Sequence, residues 1–440
     1  MIFILLQLLH AGILLRLESF IYPEFFVYPY LTLSGLVPYR QIIDQHFPGL
    51  FFLPVNFASL GFNTPVSFRT LLILMVLFQS ALIAVIARRV SRSRLAAVFS
   101  VIAYTVWQPV FFGNHLWLES FISPLSLSAY FFWTGHNLFW SGLFLGLAVL
   151  FKQSLLLPLV CLTAYLLFRH RLVEAIRFFS GGLAPLFLIS VYFSARGLFP
   201  DFFFWTVMFN LVYAVRSFSL PSLSIILQLV LPVVLVISSM ILVKPRHRLM
   251  GLAVWGLLLI PGGLSRFDFT RIQAAVPFLS LLTGILLAYL ISKRKWSALS
   301  LIALCLGFYI GLFYLRQANW GQYRFFNNET LILAEKIKTL SQPGDIIFLL
   351  GTQPHLYFLT RTLPPGNFFA YQLPWYLPLT TNRTLFTLAD DPPRLVIYDR
   401  SAVVDGLSIT EYAAPLIKYI EKYYQPQSRI GDTILYESRD

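Results

Sequence analysis

The chain has 440 residues, of which 58% are hydrophobic and only 12% charged, and its formal net charge is +14. A soluble domain carries about 25% charged residues, so the composition excludes an ordinary soluble protein and predicts an integral membrane protein. The positive excess lies in residues 1–320, which hold 22 Lys/Arg and 7 Asp/Glu, whereas residues 321–440 hold 11 and 12. This distribution is typical of topogenic charge on inner loops, so we expect no nucleic-acid partner.

Apolar runs that approach the length of a membrane span, about 20 residues, recur through the first 316 residues. We predict about eleven spans, at residues 2–17, 67–87, 95–112, 119–133, 138–151, 154–168, 178–195, 222–242, 249–262, 273–291 and 297–315. The first run lacks the basic start and the small-residue cleavage site of a signal peptide, so we expect it to remain as the first helix.

Basic residues between these spans predict the orientation. Threading the spans in order places four basic clusters on one side, which the positive-inside rule makes the cytoplasm. These clusters are residues 88–94, 169–177, 244–248 and 293–295. The chain after about residue 316 is then outside the cell membrane.

The same threading places six of the seven acidic side chains of residues 1–320 on the outer side. They are Glu18, Glu24, Asp44, Glu119, Asp201 and Asp268, and only Glu174 is on the inner side. Carboxylates at the edge of a bilayer are costly and are typical of functional sites. We therefore expect a polar site at the outer face.

Two segments differ from the apolar spans. Residues 18–66, rich in Pro, aromatic and ionisable residues, are predicted to form interfacial helices on the outer surface. After Trp320 the pattern becomes that of a soluble protein. The predicted elements are a helix at Asn328–Leu340, a strand at Ile346–Gly351, a short helix at 355–360, a Pro-rich stretch at 364–378, a strand at Leu395–Asp399, a helix near 411–424 and a hairpin at 428–437. We thus predict two domains, a multi-spanning one at 1–316 and a small extracytoplasmic α/β domain at 317–440.

Several short motifs follow one another in a recognisable order. They are Tyr22-Pro23-Glu24, Gly35–Arg40, Asp44–Gly49, Leu150–Gln153, Arg266–Asp268 with Arg271–Gln273, and Gly351–Pro354. With this order and spacing the chain resembles the GT-C glycosyltransferases, in particular the bacterial dolichyl-phosphate-mannose-transferase-like group with an ArnT-like or RgtA/B/C/D-like domain. The resemblance implies a polytopic α-helical fold. It also implies an inverting transfer of a sugar from a polyprenyl-phosphate donor lipid to an extracytoplasmic glycan, lipid or protein acceptor.

The resemblance places the catalytic carboxylate at Glu24, where a general base would take the proton of the acceptor hydroxyl. The family often has a paired Asp-Glu where this chain has Pro23-Glu24. Glu119 matches a second acid in the second outer loop, and Asp44 with His46 would orient the acceptor or support the base. From the residues alone, structural roles are open as well: a helix cap, a turn-forming Asp or an acid at a helix N-terminus.

The departing polyprenyl phosphate is an anion, so cations near it would stabilise the transition state. The predicted phosphate-binding residues are Lys152, Arg266, Arg271 and Arg40, and Gln153 and Asp268 are predicted to orient the substrates. The alternative for Lys152 and Arg40 is snorkelling to the membrane interface. The alternative for Arg266 and Arg271 is an internal ion pair with Asp268.

No His, Cys or Asp cluster has the spacing of a metal site, so no cofactor is predicted, although Glu24 with Asp44 is a possible weak site for a divalent cation. The sequence also has no Gly-rich phosphate loop, which argues against a nucleotide-sugar donor. The main alternative function is a flippase or transporter for a lipid-linked glycan, which predicts ionisable residues midway through the spans. A scaffold with a decayed site is the third interpretation.

Overall fold

The computed structural model describes residues 1–51, 56–212, 222–261 and 268–439. Helices dominate the first 317 residues. The first eight are α1 (Ile2–Arg16), α2 (Glu24–Leu33), α3 (Pro65–Ser91), α4 (Arg94–Val110), α5 (Leu118–Thr134), α6 (Leu138–Val149), α7 (Leu156–Phe168) and α8 (Leu172–Ala195). A helical run follows through α9 (Phe199–Phe203), a π-helical turn (Phe204–Met208) and α10 (Phe209–Val212). Then come α11 (Leu223–Leu242), α12 (Arg246–Leu258), a 3₁₀ turn (Phe269–Ala275), α13 (Val276–Ser292) and α14 (Trp296–Gln317).

Five helices in the described ranges are long and apolar enough to cross a membrane. They are Pro65–Ser91, Leu172–Ala195, Ile225–Leu242, Phe269–Ser292 and Trp296–Leu315. Shorter apolar helices are Ile2–Arg16, Leu138–Val149, Gln153–Phe168 and Phe199–Val212. Most predicted spans coincide with a helix within a few residues, while the count of eleven crossings stays a prediction.

Helices α6 and α8 pack with their backbones in close contact. A Cβ atom added at Gly142 would lie 1.9 Å from the Phe178 carbonyl oxygen, and one at Gly146 would lie 2.2 Å from that of Gly182. Small residues four apart permit such close helix packing within membranes. This contact fixes the end of α6, from which Lys152 emerges.

The remaining chain combines short helices with a sheet. Its helices are α15 (Asn328–Leu340), α16 (Leu356–Thr360), α17 (Leu377–Asp390), α18 (Ile409–Tyr412) and α19 (Ala414–Tyr423). The main strands are β4 (Ile347–Leu350), β6 (Leu395–Asp399), β9 (Tyr424–Ile430) and β10 (Thr433–Ser438), in the order β4-β6-β10-β9. Helix α17 was not predicted from the sequence. The other predicted elements of this region correspond closely to observed ones.

Alternate residues of the sheet belong to two different hydrophobic cores. Ile347 and Leu349 pack in the core that includes the long helices, whereas Phe348 and Leu350 pack in a second core with α17 and α19. The same alternation occurs along β6 and β10, as the two-residue period of a strand requires. The first core is therefore continuous across residue 316, the predicted domain boundary.

Short strands join distant segments of the chain. β1 (Phe20–Ile21) pairs in parallel with β3 (His115–Leu116), and β2 (Ile42–Ile43) pairs in parallel with β5 (Phe369–Ala370). A third short pair, β7 (Val403–Val404) with β8 (Leu407–Ser408), forms a hairpin near the surface. The first two pairs bring the α1–α3 connection beside the start of α5 and beside the residues that follow α16.

Candidate active site

The motif Asp44–Gly49 lies directly on the turn that follows α6. The Gly49 amide donates a hydrogen bond of 2.7 Å to the Leu150 carbonyl oxygen. A Cβ atom at this position would lie 2.6 Å from that oxygen, closer than real Cβ contacts. Only glycine therefore permits this approach, which sets Asp44 and Lys152 on neighbouring segments.

Glu24 is the first residue of α2, and it differs from the other acidic side chains of the site. It forms no ion pair within the described chain, and the Tyr371 phenol lies beside its carboxyl group. Burial, and to a smaller extent the negative charge of Asp44, raise the pKa of Glu24 from 4.5 to about 7, against the opposing effects of its own backbone amide, His46 and Tyr371. A carboxyl with such a pKa exchanges protons near neutral pH, as a general base requires.

Asp44 is buried and accepts three hydrogen bonds. The Tyr28 hydroxyl donates to Oδ2 at 2.5 Å, and the His46 amide donates to Oδ1 at 2.6 Å. His46 Nδ1 lies 2.7 Å from the same Oδ1 atom. Both carboxylate oxygens are thus engaged, and they fix the orientation of the imidazole.

The carbonyl oxygen of Gln45 accepts hydrogen bonds from two side-chain amides. Gln153 Nε2 donates to it at 2.5 Å and Asn210 Nδ2 at 2.8 Å. The Gln45 amide donates to the Tyr376 hydroxyl at 3.1 Å. Gln153 therefore holds the loop between Asp44 and His46, and its predicted orienting role would act through this loop.

Glu119 and Lys152 form a buried ion pair. The Lys152 Nζ atom lies 2.5 Å from Glu119 Oε1, and the two side chains are 17% and 2% exposed. Glu119 lies in the first turn of α5, and its Oε2 atom is buried without a hydrogen-bond partner. Glu119 at the start of α5 and Lys152 after the end of α6, both predicted site residues, thus contact each other. The Lys152 ammonium group has further N–H donors for a ligand.

Aromatic rings connect these groups. Tyr22 stacks on Trp117 with 4.1 Å between ring centroids, and His46 meets the edge of the same indole at 5.6 Å. Burial raises the pKa of Tyr22, and the charges of Asp268, Glu24 and Glu119 raise it further. The carboxylates of three separate segments therefore lie near one phenol ring.

Solved structures share this architecture over nearly the whole chain. The ArnT of Cupriavidus metallidurans bound to undecaprenyl phosphate is 15% identical, with a TM-score of 0.64 over 99% of this chain and 97% of that chain. The archaeal oligosaccharyltransferase AglB of Archaeoglobus fulgidus, in complex with an inhibitory peptide and a dolichol-phosphate, is 13% identical, with a TM-score of 0.57 over 99% of this chain and 74% of that chain. The chain has the GT-C fold. No protein-family model and no curated protein sequence matches it.

The fold that the sequence resemblance implied is thereby confirmed. Within this GT-C fold Asp268 caps the 3₁₀ turn before α13, where its Oδ1 atom accepts the Arg271 amide at 3.2 Å and the Thr270 hydroxyl. The Arg271 guanidinium lies 3.5 Å from Asp268 Oδ2, so the Arg–Asp bridge considered from the sequence is present. Arg266 lies outside the described residues.

Arg40 is placed differently from the other predicted phosphate-binding residues. Its guanidinium donates to Asp201 Oδ2 at 2.9 Å and to the Gly197 carbonyl oxygen at 2.8 Å, and its side chain is 50% exposed. These contacts attach the loop before β2 to the start of α9. The geometry therefore gives Arg40 a structural contact, and its phosphate role stays a prediction.

Two tyrosines that follow β5 were not predicted from the sequence to belong to the site. Burial raises the pKa of Tyr371, and the charge of Glu24 raises it further; burial and then Asp44 do the same for Tyr376. These two phenols, which belong to the C-terminal part of the GT-C fold, therefore lie near Glu24 and Asp44. Their signal in the sequence was the aromatic, Pro-rich stretch at 364–378.

Arg324 is a further cation that the sequence analysis missed. Its guanidinium lies over the Phe20 ring, 5.5 Å from the centroid, and the side chain is exposed. Burial, and to a smaller extent the positive charge of Arg324, lower the pKa of His115 to about 4. Arg324 therefore lies beside the β1–β3 pair at the edge of the site.

A divalent cation fits the Glu24–Asp44 pair poorly. Both Asp44 oxygens already accept hydrogen bonds from Tyr28 and His46, and hard cations take several free oxygen ligands. Within the described ranges, no group of three or more His, Cys, Asp or Glu side chains could hold a metal ion.

Proposed function

We propose that this protein is a membrane-embedded, inverting glycosyltransferase that moves a sugar from a polyprenyl-phosphate lipid to an extracytoplasmic acceptor. The observation that carries the proposal is Glu24, a carboxylate without an ion pair whose pKa is raised to about 7 by burial. It lies among segments that also present the cations Lys152 and Arg271. The likeness to ArnT bound to undecaprenyl phosphate and to AglB bound to a dolichol-phosphate supports a polyprenyl-type phosphate as the donor group.

In the proposed reaction Glu24 acts as the general base. The acceptor hydroxyl attacks the anomeric carbon of the sugar, Glu24 takes the hydroxyl proton, and the bond between that carbon and the phosphate oxygen breaks. The electron pair of the broken bond stays on the polyprenyl phosphate. Attack opposite the leaving group inverts the anomeric configuration. A positioned base of this kind contributes roughly 10²–10⁴-fold to the rate.

Lys152 and Arg271 would stabilise the negative charge on the departing phosphate. One N–H group of the Lys152 ammonium contacts Glu119. Its other N–H groups can donate to phosphate oxygens. Arg271 lies 3.5 Å from Asp268, so its guanidinium also keeps free donors. The two acids would hold these cations in place before the donor arrives, which is the preorganisation that electrostatic catalysis needs.

The acceptor side would be formed by the Asp44–His46 pair. His46 Nδ1 is directed to Asp44, so the opposite nitrogen of the ring is available to an acceptor hydroxyl. Trp117 packs against both His46 and Tyr22, and aromatic faces are suited to the apolar faces of sugars or to an isoprenoid chain.

The proposed location is the cell membrane, with the site and residues 317–440 on the extracytoplasmic side. Glu24, Asp44, Glu119 and Asp268 all lie at the end of the helices that carries the sheet. The basic clusters lie at the other end, and the positive-inside rule assigns that end to the cytoplasm.

The test uses purified protein in liposomes with radiolabelled polyprenyl-phosphate sugars and an acceptor extract. We expect release of the sugar by the wild type and a loss of roughly 10²–10⁴-fold in Glu24→Gln. The matched control is Glu18→Gln, in the same loop, whose carboxylate accepts the Asn319 amide at 2.8 Å. We expect that control to keep its activity.

Three results would contradict parts of this proposal. Equal turnover in Glu24→Gln and the wild type would keep the transferase and move the base to another acid. An intact donor that crosses the bilayer as a glycolipid would identify a transporter. An inert wild type with each of the polyprenyl-phosphate sugars tested would exclude those donors.

A further inference from the structure

A cavity lies far from the acids. It has a volume of about 280 Å³ and lies where the α3–α4 and α11–α12 connections meet the end of α13. The polar lining includes Lys244, Arg248 and Ser93, and the apolar lining includes Leu249 and Ile285. Its volume is near the lower end of the roughly 300–1,000 Å³ of ligand pockets.

The cavity is separate from the candidate active site. It touches the last residues of α3, whereas the first turns of α3 contact the site end, where Arg69 donates to the Gly321 carbonyl oxygen at 3.1 Å. The 27 residues of α3 span about 40 Å at 1.5 Å per residue. A ligand here would not contact Glu24.

The charge around this cavity is one-sided. We call the residues 88–94, 244–248 and 293–295 the basic end; they contain ten Lys and Arg side chains and no acid. Within the described residues none of these cations forms an ion pair. Arg248 donates to the Val90 carbonyl oxygen at 3.1 Å and Arg89 to the Phe131 carbonyl oxygen at 2.9 Å. These partners are neutral, so the positive charge is not compensated within this part of the chain.

Lys244 is the cation best placed to serve a ligand. It lines the cavity and is exposed, and its ammonium group forms neither a hydrogen bond nor an ion pair with the described chain. Arg248 lines the same cavity from the first turn of α12, and it is partly buried. The lining thus offers one free ammonium and one fixed guanidinium next to an apolar wall.

We propose that this cavity binds the phosphate headgroup of an anionic membrane phospholipid. Lys244 and Arg248 would contact the phosphate, and Leu249 and Ile285 would contact the first carbons of the acyl chains. A phospholipid carries negative charge and apolar chains in one molecule, which matches the two halves of the lining. Basic pockets between membrane helices are suited to such headgroups. The bound lipid would supply the counter-charge that the basic end lacks and would join two helix connections and the end of α13.

The experiment measures lipid adducts on the detergent-purified protein by native mass spectrometry, with phosphatidylglycerol or phosphatidylcholine added. The wild type should retain phosphatidylglycerol in preference to phosphatidylcholine. Lys244→Gln should lower retention about fivefold, the effect of one cation near an anionic lipid. The matched control is Lys293→Gln, an exposed lysine of the same basic end that does not line the cavity, and it should retain the lipid as the wild type does.

Lys244→Gln removes no hydrogen bond or ion pair of the described chain, so we expect the variant to fold. Arg248→Gln, which also loses the hydrogen bond to the Val90 carbonyl oxygen, should lower the retention of phosphatidylglycerol as well. An equal loss in Lys244→Gln and Lys293→Gln would overturn the proposal, because the binding would then be diffuse. Equal retention of phosphatidylcholine by the wild type would overturn it as well. If inorganic phosphate raised the melting temperature as much as phosphatidylglycerol does, the ligand would be a free anion and the lipid assignment would be wrong.

Discussion

The two ends of the helical region handle charge in opposite ways. At the acidic end, where Glu24 lies, the other carboxylates have internal partners: Asp44 with Tyr28 and His46, Glu119 with Lys152, and Asp268 with Arg271. At the basic end, by contrast, no acid is present, and Arg89 and Arg248 bond to neutral carbonyl groups. The fourth basic cluster, residues 169–177, contains one acid, Glu174, which pairs with Arg171.

The difference follows from what each end is proposed to bind. Chemistry needs charges held in fixed positions before the substrate arrives, so internal ion pairs suit the acidic end. A membrane surface supplies its own anions, so the basic end can leave its cations free. Glu24 has no cationic partner among the described residues, which suits a carboxylate that must take up a proton.

Removing Lys152 should disturb the acidic end most. We expect Lys152→Gln to lower turnover by roughly 10²–10³-fold, as for the loss of one charge-stabilising donor. It should also destabilise the fold by about 3–5 kcal/mol, because Glu119 would remain buried without its partner. Turnover and the melting temperature are measured together.

The double variant Lys152→Gln with Glu119→Gln separates these two effects. We expect it to recover most of the melting temperature but not the turnover. Recovery of the turnover as well would show that Lys152 serves only to neutralise Glu119.

The raised pKa of Glu24 predicts a pH dependence. Since the base must be ionised, turnover should fall about tenfold for each pH unit below about 7. Stability should change in the opposite sense. The folded state holds the proton more tightly than the unfolded state, so stability is lost as the pH rises from 4.5 through about 7.

Glu24→Gln removes this titration. The variant should melt at a higher temperature than the wild type at pH 8 and at a similar temperature at pH 4.5. A turnover profile of the wild type that is flat between pH 5 and 8 would contradict the assignment of Glu24 as the base.

A smaller effect is expected from Gly49→Ala, which tests how the loop is held at the acidic end. The new methyl group would meet the Leu150 carbonyl oxygen, and overpacking of this kind costs about 1–3 kcal/mol. We expect a several-fold loss of turnover and a lower melting temperature. The control is Gly12→Ala, where a Cβ atom meets nothing within 4 Å, and this variant should match or exceed the wild type in stability.

The smallest effect is expected from Arg40→Gln. An exposed ion pair contributes about 0–1 kcal/mol, so turnover should change by less than about threefold, with Asp201→Asn giving the same result. A large rise in the donor KM of Arg40→Gln alone would show instead that Arg40 binds the phosphate.

Much of the helical layout could be predicted from the sequence, because a membrane span requires a long apolar run that is visible without tertiary structure. The predicted run at 138–151 became α6 at Leu138–Val149, and the predicted helix Asn328–Leu340 became α15. Helix α17 was missed because its start lies in the Pro-rich stretch and its polar residues give no strong apolar period. The GT-C fold itself was recognised from the order of several short motifs. No single residue among them was specific for the fold.

The sequence by itself determined which chemical groups were available: Glu24, Asp44, Glu119, Lys152 and a C-terminal sheet. Only the tertiary structure decided their relationships. Glu119 and Lys152 are 33 residues apart, and Gln45 and Tyr376 are 331 apart, so no local periodicity could pair them. Burial, which raises the pKa of Glu24, likewise depends on neighbours from distant segments. Hydropathy is a local property of the chain, whereas the environment of a buried charge is not.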